Sequence, residues 1–452
     1  MIRPLAKPAL ALAGVLALAG CSGSTAATEA APPAWHNTRL VAVSRVAAAG
    51  GVAAVTSLRP DGTLRTAALD LSTGRELWDR PATMAGRLPG MGVPPPAVVT
   101  TSPGQAVVAA VAPAAAGGAS GARKAALVAV DARTGRQRWT RPVGSTFGPQ
   151  PCGAYLCMTE NTALTSARMV VLDPLTGEVR WRLPGIAEVQ WSDSARVVVL
   201  RLARHPVLAA LDLKTGRPAW RLPVEKALGH GIDLSGGWAF GTAGTNLVGY
   251  IAPYTNPKRR TTSTFGVFSV RLADGKVNWL RPSVVRVYPS GNPGVAPIVR
   301  PVDRRGQYGG FARLDPVSGR VLGQITADKV PGTGWWLAFP DDLNQLGFLK
   351  PSAPGAAFDL ATARATPVQG RRGWSFCTTD PKPLPLAHLP AGFYSVAALC
   401  EFDLATGRRV PGATPPPTWF TGSHDGWRLW RDERGALHAV HDTQGTTPGM
   451  YG

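Results

Sequence analysis

Apolar residues fall in short runs along this chain, and each run is closed by a turn built from Asp, Gly, Pro, Ser or Thr. Leu40 to Ala48, Val52 to Leu58 and Leu64 to Leu69 are the first three, with Arg59-Pro60-Asp61-Gly62 as a hairpin turn between the last two. Runs of this length, rich in Val, Ala and Leu and lacking a sustained 3.6-residue period, predict strands rather than helices. The chain reads as all-β.

One arrangement then recurs. An apolar strand runs into Asp70, passes through Ser72-Thr73-Gly74 and resumes as a strand that carries Trp78. The same pattern returns as Asp131, Gly135 and Trp139, as Asp173, Gly177 and Trp181, and as Asp212, Gly216 and Trp220. The Asp side chain can accept backbone N–H groups across the turn, and Gly supplies the positive φ that ends it. Weaker copies follow at Asp274-Gly275 with Trp279, at Asp315 to Gly319, at Asp359 to Ala363 and at Asp403 to Gly407. The turn-closing residues 74, 135, 177, 216, 275, 319, 363 and 407 are 39 to 61 residues apart, the spacing of four-stranded propeller blades with two long insertions. One such unit cannot bury both faces of its sheet, so the units stack around an axis. The expectation is a β-propeller of eight four-stranded blades, or seven if one weak copy is degenerate. The last three copies carry Gly323, Pro367 and Pro411 where the others carry Trp, and Trp335, Trp336, Trp374, Trp419, Trp427 and Trp430 are expected to fill equivalent volumes.

The Asp-x-x-Thr-Gly-x-x-x-Trp pattern resembles the PQQ-like repeat of the quinoprotein-like β-propellers, a family that includes the alcohol dehydrogenase propellers and the non-catalytic lipoprotein of the outer-membrane β-barrel assembly machinery. The resemblance covers about residues 38–442. It implies that Trp78, Trp139, Trp181 and Trp220 pack between adjacent blades with each indole N–H on a backbone acceptor, and that the repeated Asp residues are structural too. For a quinone-dependent dehydrogenase it also implies an adjacent Cys-Cys pair, a Glu/Asn/Asp set for calcium and a catalytic Asp. The chain has no adjacent cysteines and no loop of alternating Asp/Asn oxygens. No catalytic residue, metal ligand or cofactor is therefore expected. A dehydrogenase-like or polymer-hydrolysing enzyme is the rival, with Asp341-Asp342 as an acidic pair, and a ligand sensor for a membrane kinase or transporter is a third reading.

The ends and the cysteines bear on location. Arg3 and Lys7 precede an apolar stretch, Pro8 to Gly20, too short to span a bilayer. Leu18-Ala19-Gly20-Cys21 resembles the bacterial lipobox, which implies a signal peptide over 1–20, a lipid on Cys21 and a site at the extracytoplasmic face of the cell membrane. Residues 21–37, small and Pro-tailed, are expected as a flexible tether, and 38–452 as a single propeller domain. Cys152 and Cys157 sit in a tight hairpin and are expected to form a disulfide, which leaves Cys377 and Cys400 to pair across strands of a later blade. Residues 426 to 443 offer two further strands around Glu433-Arg434-Gly435, which could complete the ring by pairing with N-terminal strands.

Charge comes last. Lys plus Arg number 48 against 28 Asp plus Glu, a net +20. These cations are scattered over turns and strand ends, which argues against nucleic acid and suits an anionic membrane surface or wall polymer. The irregular stretch Thr242 to Phe265 concentrates Tyr250, Tyr254, Lys258, Arg259 and Arg260, the residue types of a binding loop. His438 and His441 lie three apart, which on a strand sends their rings to opposite faces. The expected molecule is a monomeric, membrane-anchored scaffold that binds an extracytoplasmic protein or an anionic polymer.

Overall fold

The computed structural model describes residues 33–85, 92–114, 125–163, 166–288, 297–303, 305–332, 335–338, 345–350, 352–378, 382–383, 393–394, 397–412, 423–432 and 434–441. The signal segment, Cys21, Asp341-Asp342 and Trp419 lie outside them. Antiparallel sheets follow one another along the chain, and each of the eight repeats supplies one. Sheet 1 spans residues 41–81, sheet 2 97–143, sheet 3 145–184, sheet 4 186–223, sheet 5 238–282, sheet 6 284–325, sheet 7 336–366 and sheet 8 372–410. Most have four strands; sheet 8 has three described strands, with a small hairpin pairing Lys382–Pro383 with Phe393–Tyr394. A further sheet joins Ser423–His424, Trp427–Arg431 and Leu437–His441 to the N-terminal strand Ala34–Asn37. The final strands thus pair with the first, and they form a closure sheet of their own.

Two extents change. The tether was expected to reach residue 37, but Ala34–Asn37 is the outer strand of the closure sheet, in register with Leu437 to Val440. Trp35 is the cause, because a large ring with a place to dock does not stay in a solvated linker. The long spacing before Gly135 is mostly not insertion, since Ala97–Ser102 and Gln105–Pro113 are ordinary inner strands of sheet 2.

Sheet-to-sheet packing supplies the core. Apolar clusters join each sheet to the next from 1 through 8, and another joins the closure sheet to sheet 1 through Leu40, Leu69, Leu429 and Leu437. Arg431 adds to that joint, donating from Nη1 to the Ala42 carbonyl at 3.0 Å.

The repeat residues build the joints. Asp70 Oδ1 accepts the N–H groups of Ser72 and Thr73 at 3.0 and 3.1 Å, and Gly74 takes φ +68°. Asp131, Asp173 and Asp212 repeat the turn. The Trp on each outer strand then lies over the turn glycine of the next sheet. Trp78 Nε1 donates to Ala132 at 2.8 Å, Trp139 to Pro174 at 2.9 Å, Trp181 to Leu213 at 2.7 Å and Trp220 to Leu272 at 2.9 Å. A Cβ on Gly135 would stand 2.8 Å from Trp78 Cγ, so the turn needs glycine for the ring as well as for its φ.

Later copies depart in a correlated way. In the fifth, Arg271 and not Asp274 holds the Asp position, and the two side chains pair at 2.8 and 2.9 Å. Trp279 still docks, on Pro316 at 3.2 Å. At the joint between sheets 6 and 7 Gly323 replaces the Trp, and the next backbone N–H, of Gln324, reaches the Leu360 carbonyl directly at 2.8 Å. With no ring to seat, the facing turn tolerates Ala363 at φ 55°.

Candidate functional site

The expected repeat residues Asp70, Gly74, Trp78, Asp131, Gly135, Trp139, Asp173, Gly177, Trp181, Asp212, Gly216 and Trp220 are all found in turns or joints, spread between sheets rather than gathered around one pocket. Their carboxylates are held by the fold. The Ser72 hydroxyl, working against burial and helped by Thr73, keeps Asp70 below the usual carboxylate range. At Asp212 the hydroxyl and N–H of Thr215 do the same. Cys152 and Cys157 are bonded across the expected hairpin, with Cα atoms 5.8 Å apart. Cys400 is also disulfide-bonded; the side chain of Cys377, its expected partner, lies outside the described residues.

The expected binding loop is shorter than its sequence suggested. Tyr250 belongs to the strand Asn246–Ile251 and packs into the joint with sheet 6, where its hydroxyl donates to Val285 at 2.7 Å. Burial pushes its phenol up to about 12, so it is a structural residue rather than a loop contact. What remains is the segment 252–265, which organises itself without the sheet. Thr255 bridges Thr262, the Asn256 side chain accepts the N–H groups of Lys258 and Arg259 at 2.9 and 3.1 Å, and Arg260 turns back at φ 53° onto the Asn256 carbonyl. Tyr254 is half-buried at its base, its N–H on the Ser263 hydroxyl at 3.0 Å. Lys258, Arg259 and Arg260 are exposed at the tip. The result is a fixed finger carrying three adjacent cations.

A second feature lies between sheet 8 and the closure sheet, and the sequence did not reveal it. Pro411 stands where a Trp would dock, and the joint holds a cavity of about 520 Å³. His438 and His441 do face opposite ways: His441 packs edge-on against Trp427, whereas His438 stacks on Trp430 at 5.4 Å and lies 6.1 Å from the near-parallel ring of His36. Three rings thus form a ladder across three strands and line the cavity, with Asp432 Oδ2 3.2 Å from His438 Nε2. Glu401 and Arg409 line the opposite wall. The one early signal was a Trp-His pair, Trp35-His36, in an otherwise small-residue tether. Among the described residues no group of three or more His, Cys, Asp or Glu side chains is placed to hold a metal ion.

Comparison with known families agrees with the repeat architecture. Residues 15–183 match the family described as outer membrane protein assembly factor BamB. No curated protein matches the chain. Among solved structures, the chain is similar to BamB from Moraxella catarrhalis at 12% identity and a TM-score of 0.45, over 90% of this chain and 98% of that one. It is similar to the quinohemoprotein alcohol dehydrogenase of Comamonas testosteroni at 13% identity and 0.42, over 92% and 78%. Saccharomyces cerevisiae Sqt1 follows at 8% and 0.40, over 92% and 100%.

Proposed function

We propose that this propeller of PQQ-like repeats is a non-catalytic binding scaffold, held at the extracytoplasmic face of the membrane by a lipid on Cys21, and that it docks a protein with an acidic surface. The ring is the rigid part, because its recurrent Asp, Gly and Trp residues are committed to turns and joints. The observation that carries the reading is the finger at 252–265, whose backbone is fixed by its own hydrogen bonds while Lys258, Arg259 and Arg260 stay exposed. Prefixed cations at a loop tip steer an anionic partner and bind it with little ordering loss. The match of residues 15–183 to an outer-membrane assembly factor is in keeping with a scaffold role.

In-cell crosslinking from a photoreactive residue at exposed position 257, present in both wild type and variant, followed by mass spectrometry, tests it. One dominant acidic protein is expected, and it should disappear in Lys258→Glu/Arg259→Glu/Arg260→Glu while the folded circular dichroism is unchanged. Enrichment of a wall polymer alone would replace the protein partner with an anionic polymer. Dye reduction or a new chromophore after adding quinone and calcium would instead favour the enzyme reading.

A further inference from the structure

The cationic finger is one end of a larger surface. It joins the second and third strands of sheet 5, Asn246–Ile251 and Gly266–Arg271, and so projects from the end of the sheet opposite the turn at Gly275. The equivalent connection of sheet 6, between Ile298–Pro301 and Phe311–Leu314, carries a shorter hairpin at the same end. Val302 bridges Tyr308 across it, and the Asp303 carboxylate accepts the N–H groups of Arg305 and Gln307, both at 2.8 Å. One residue couples the two projections. The Ser283 N–H donates to the carbonyl of Phe265, the last residue of the finger, at 3.1 Å, and the Ser283 carbonyl accepts the N–H of Val302 at 2.8 Å. Finger and hairpin therefore stand side by side on fixed roots.

The hairpin presents an aromatic anchor. Tyr308 is 56% exposed, and the Arg300 guanidinium carbon stands 4.7 Å from its ring centroid and 5.0 Å from that of Phe311. Arg300 also donates from Nε to the Gly309 carbonyl at 3.4 Å, at the base of the hairpin. One side of the phenol is thus backed by a cation, which fixes the ring before anything binds, while much of it stays open to solvent. A prefixed ring loses little entropy on binding, and tyrosine is among the residue types that anchor interfaces. The charge around it has one sign. Lys258, Arg259, Arg260 and Arg305 are exposed on the two projections, whereas their one described carboxylate, Asp303, is spent on its own turn. Such cations complement an acidic chain, and the open ring takes a second ring by offset stacking.

We propose that the finger and hairpin together bind an acidic segment of a partner protein, and that an aromatic side chain of that segment stacks on Tyr308. The Tyr308 contact rests on the scaffold reading and supplies what charge alone lacks, a means of telling one acidic partner from another.

Fluorescence anisotropy of the purified full chain with two labelled peptides tests it: Glu-Glu-Asp-Trp-Glu-Asp, and the same peptide with Ala in place of Trp. Wild type should bind the Trp peptide at least about fivefold more tightly, a difference of about 1 kcal/mol. Tyr308→Ala should bring the Trp peptide down to the affinity of the Ala peptide with the folded circular dichroism unchanged, because the ring is exposed and the hairpin is closed by backbone bonds. Tyr308→Phe should keep the preference, since stacking needs the ring and not the hydroxyl. The finger variant Lys258→Glu/Arg259→Glu/Arg260→Glu should remove binding of both peptides. Equal affinities in wild type, a preference that survives Tyr308→Ala, or no binding up to about 1 mM would each overturn the Tyr308 assignment, and crosslinking from the finger judges the scaffold reading separately. Peptide binding that ignores the finger variant would overturn both.

Discussion

Trp35 lies flat over the turn of Gly74, and its indole N–H donates to the Leu71 carbonyl at 2.8 Å. The contact reproduces the joint that Trp78, Trp139 and Trp181 make with their neighbours, although Trp35 follows no Asp turn of its own. Asn37 reinforces it, its Nδ2 donating to the Gly74 carbonyl at 2.9 Å. The N-terminal strand therefore locks the ring with the same device that holds its sectors together.

Trp35→Ala should destabilise the ring by about 2–4 kcal/mol, since it deletes a large docked ring and one hydrogen bond. Trp35→Phe should recover most of that, leaving about 1 kcal/mol for the lost indole donor. Urea midpoints of the two variants provide the measurement, and a Trp35→Ala variant as stable as wild type would mean that the closure does not depend on this ring.

Glycine and tryptophan are matched at each docked joint. Gly135→Ala is expected to lose more than about 1 kcal/mol, because a side chain at φ +66° is strained and its Cβ would run into Trp78. Ala363→Gly, at the joint where Gly323 has replaced the ring, should change stability by less than about 1 kcal/mol. Thermal unfolding of both variants side by side tests the pairing.

The Cys152–Cys157 bridge closes a short hairpin loop between two strands of sheet 3. In the chain-entropy picture a loop of this size contributes about 2 kcal/mol. Cys152→Ser/Cys157→Ser should lower the urea midpoint accordingly while leaving the folded circular dichroism intact.

Acid stability should follow the turn carboxylates. Asp70, Asp212, Asp315 and Asp359 all titrate below the ordinary carboxylate range when folded, held by the hydroxyls of Ser72 and Thr215 and the N–H groups of Ser318 and Thr362 respectively. A depressed folded value means that the stabilisation is fully present above the unfolded value of about 4 and is lost as pH falls through the folded values. Replacing these residues by Asn, which keeps an acceptor for the turn, should flatten the loss of stability below about pH 4. Midpoints measured from neutral pH down into that range would reveal it.

Much of this protein was legible in its sequence because the unit is local. Asp, Gly and Trp sit within nine residues of one another, and the Asx turn and the positive φ are decided by neighbours along the chain. Repetition then required stacking, since a lone sheet cannot bury both faces. What the sequence left open depends on residues far apart in it. Tyr250 looks like a loop aromatic until Val285 is seen to accept its hydroxyl, and Arg271 displaces Asp274 only because the backbone register places it there. Trp35 is a stray ring until the strand at 437–441 pairs beside it, and Thr66 is an ordinary strand residue until a facing sheet leaves its hydroxyl without an acceptor. Turn chemistry acts over a few bonds and can be read in one dimension. Docking, closure and cavities are set by which faces meet, and that is fixed only when the whole ring has formed.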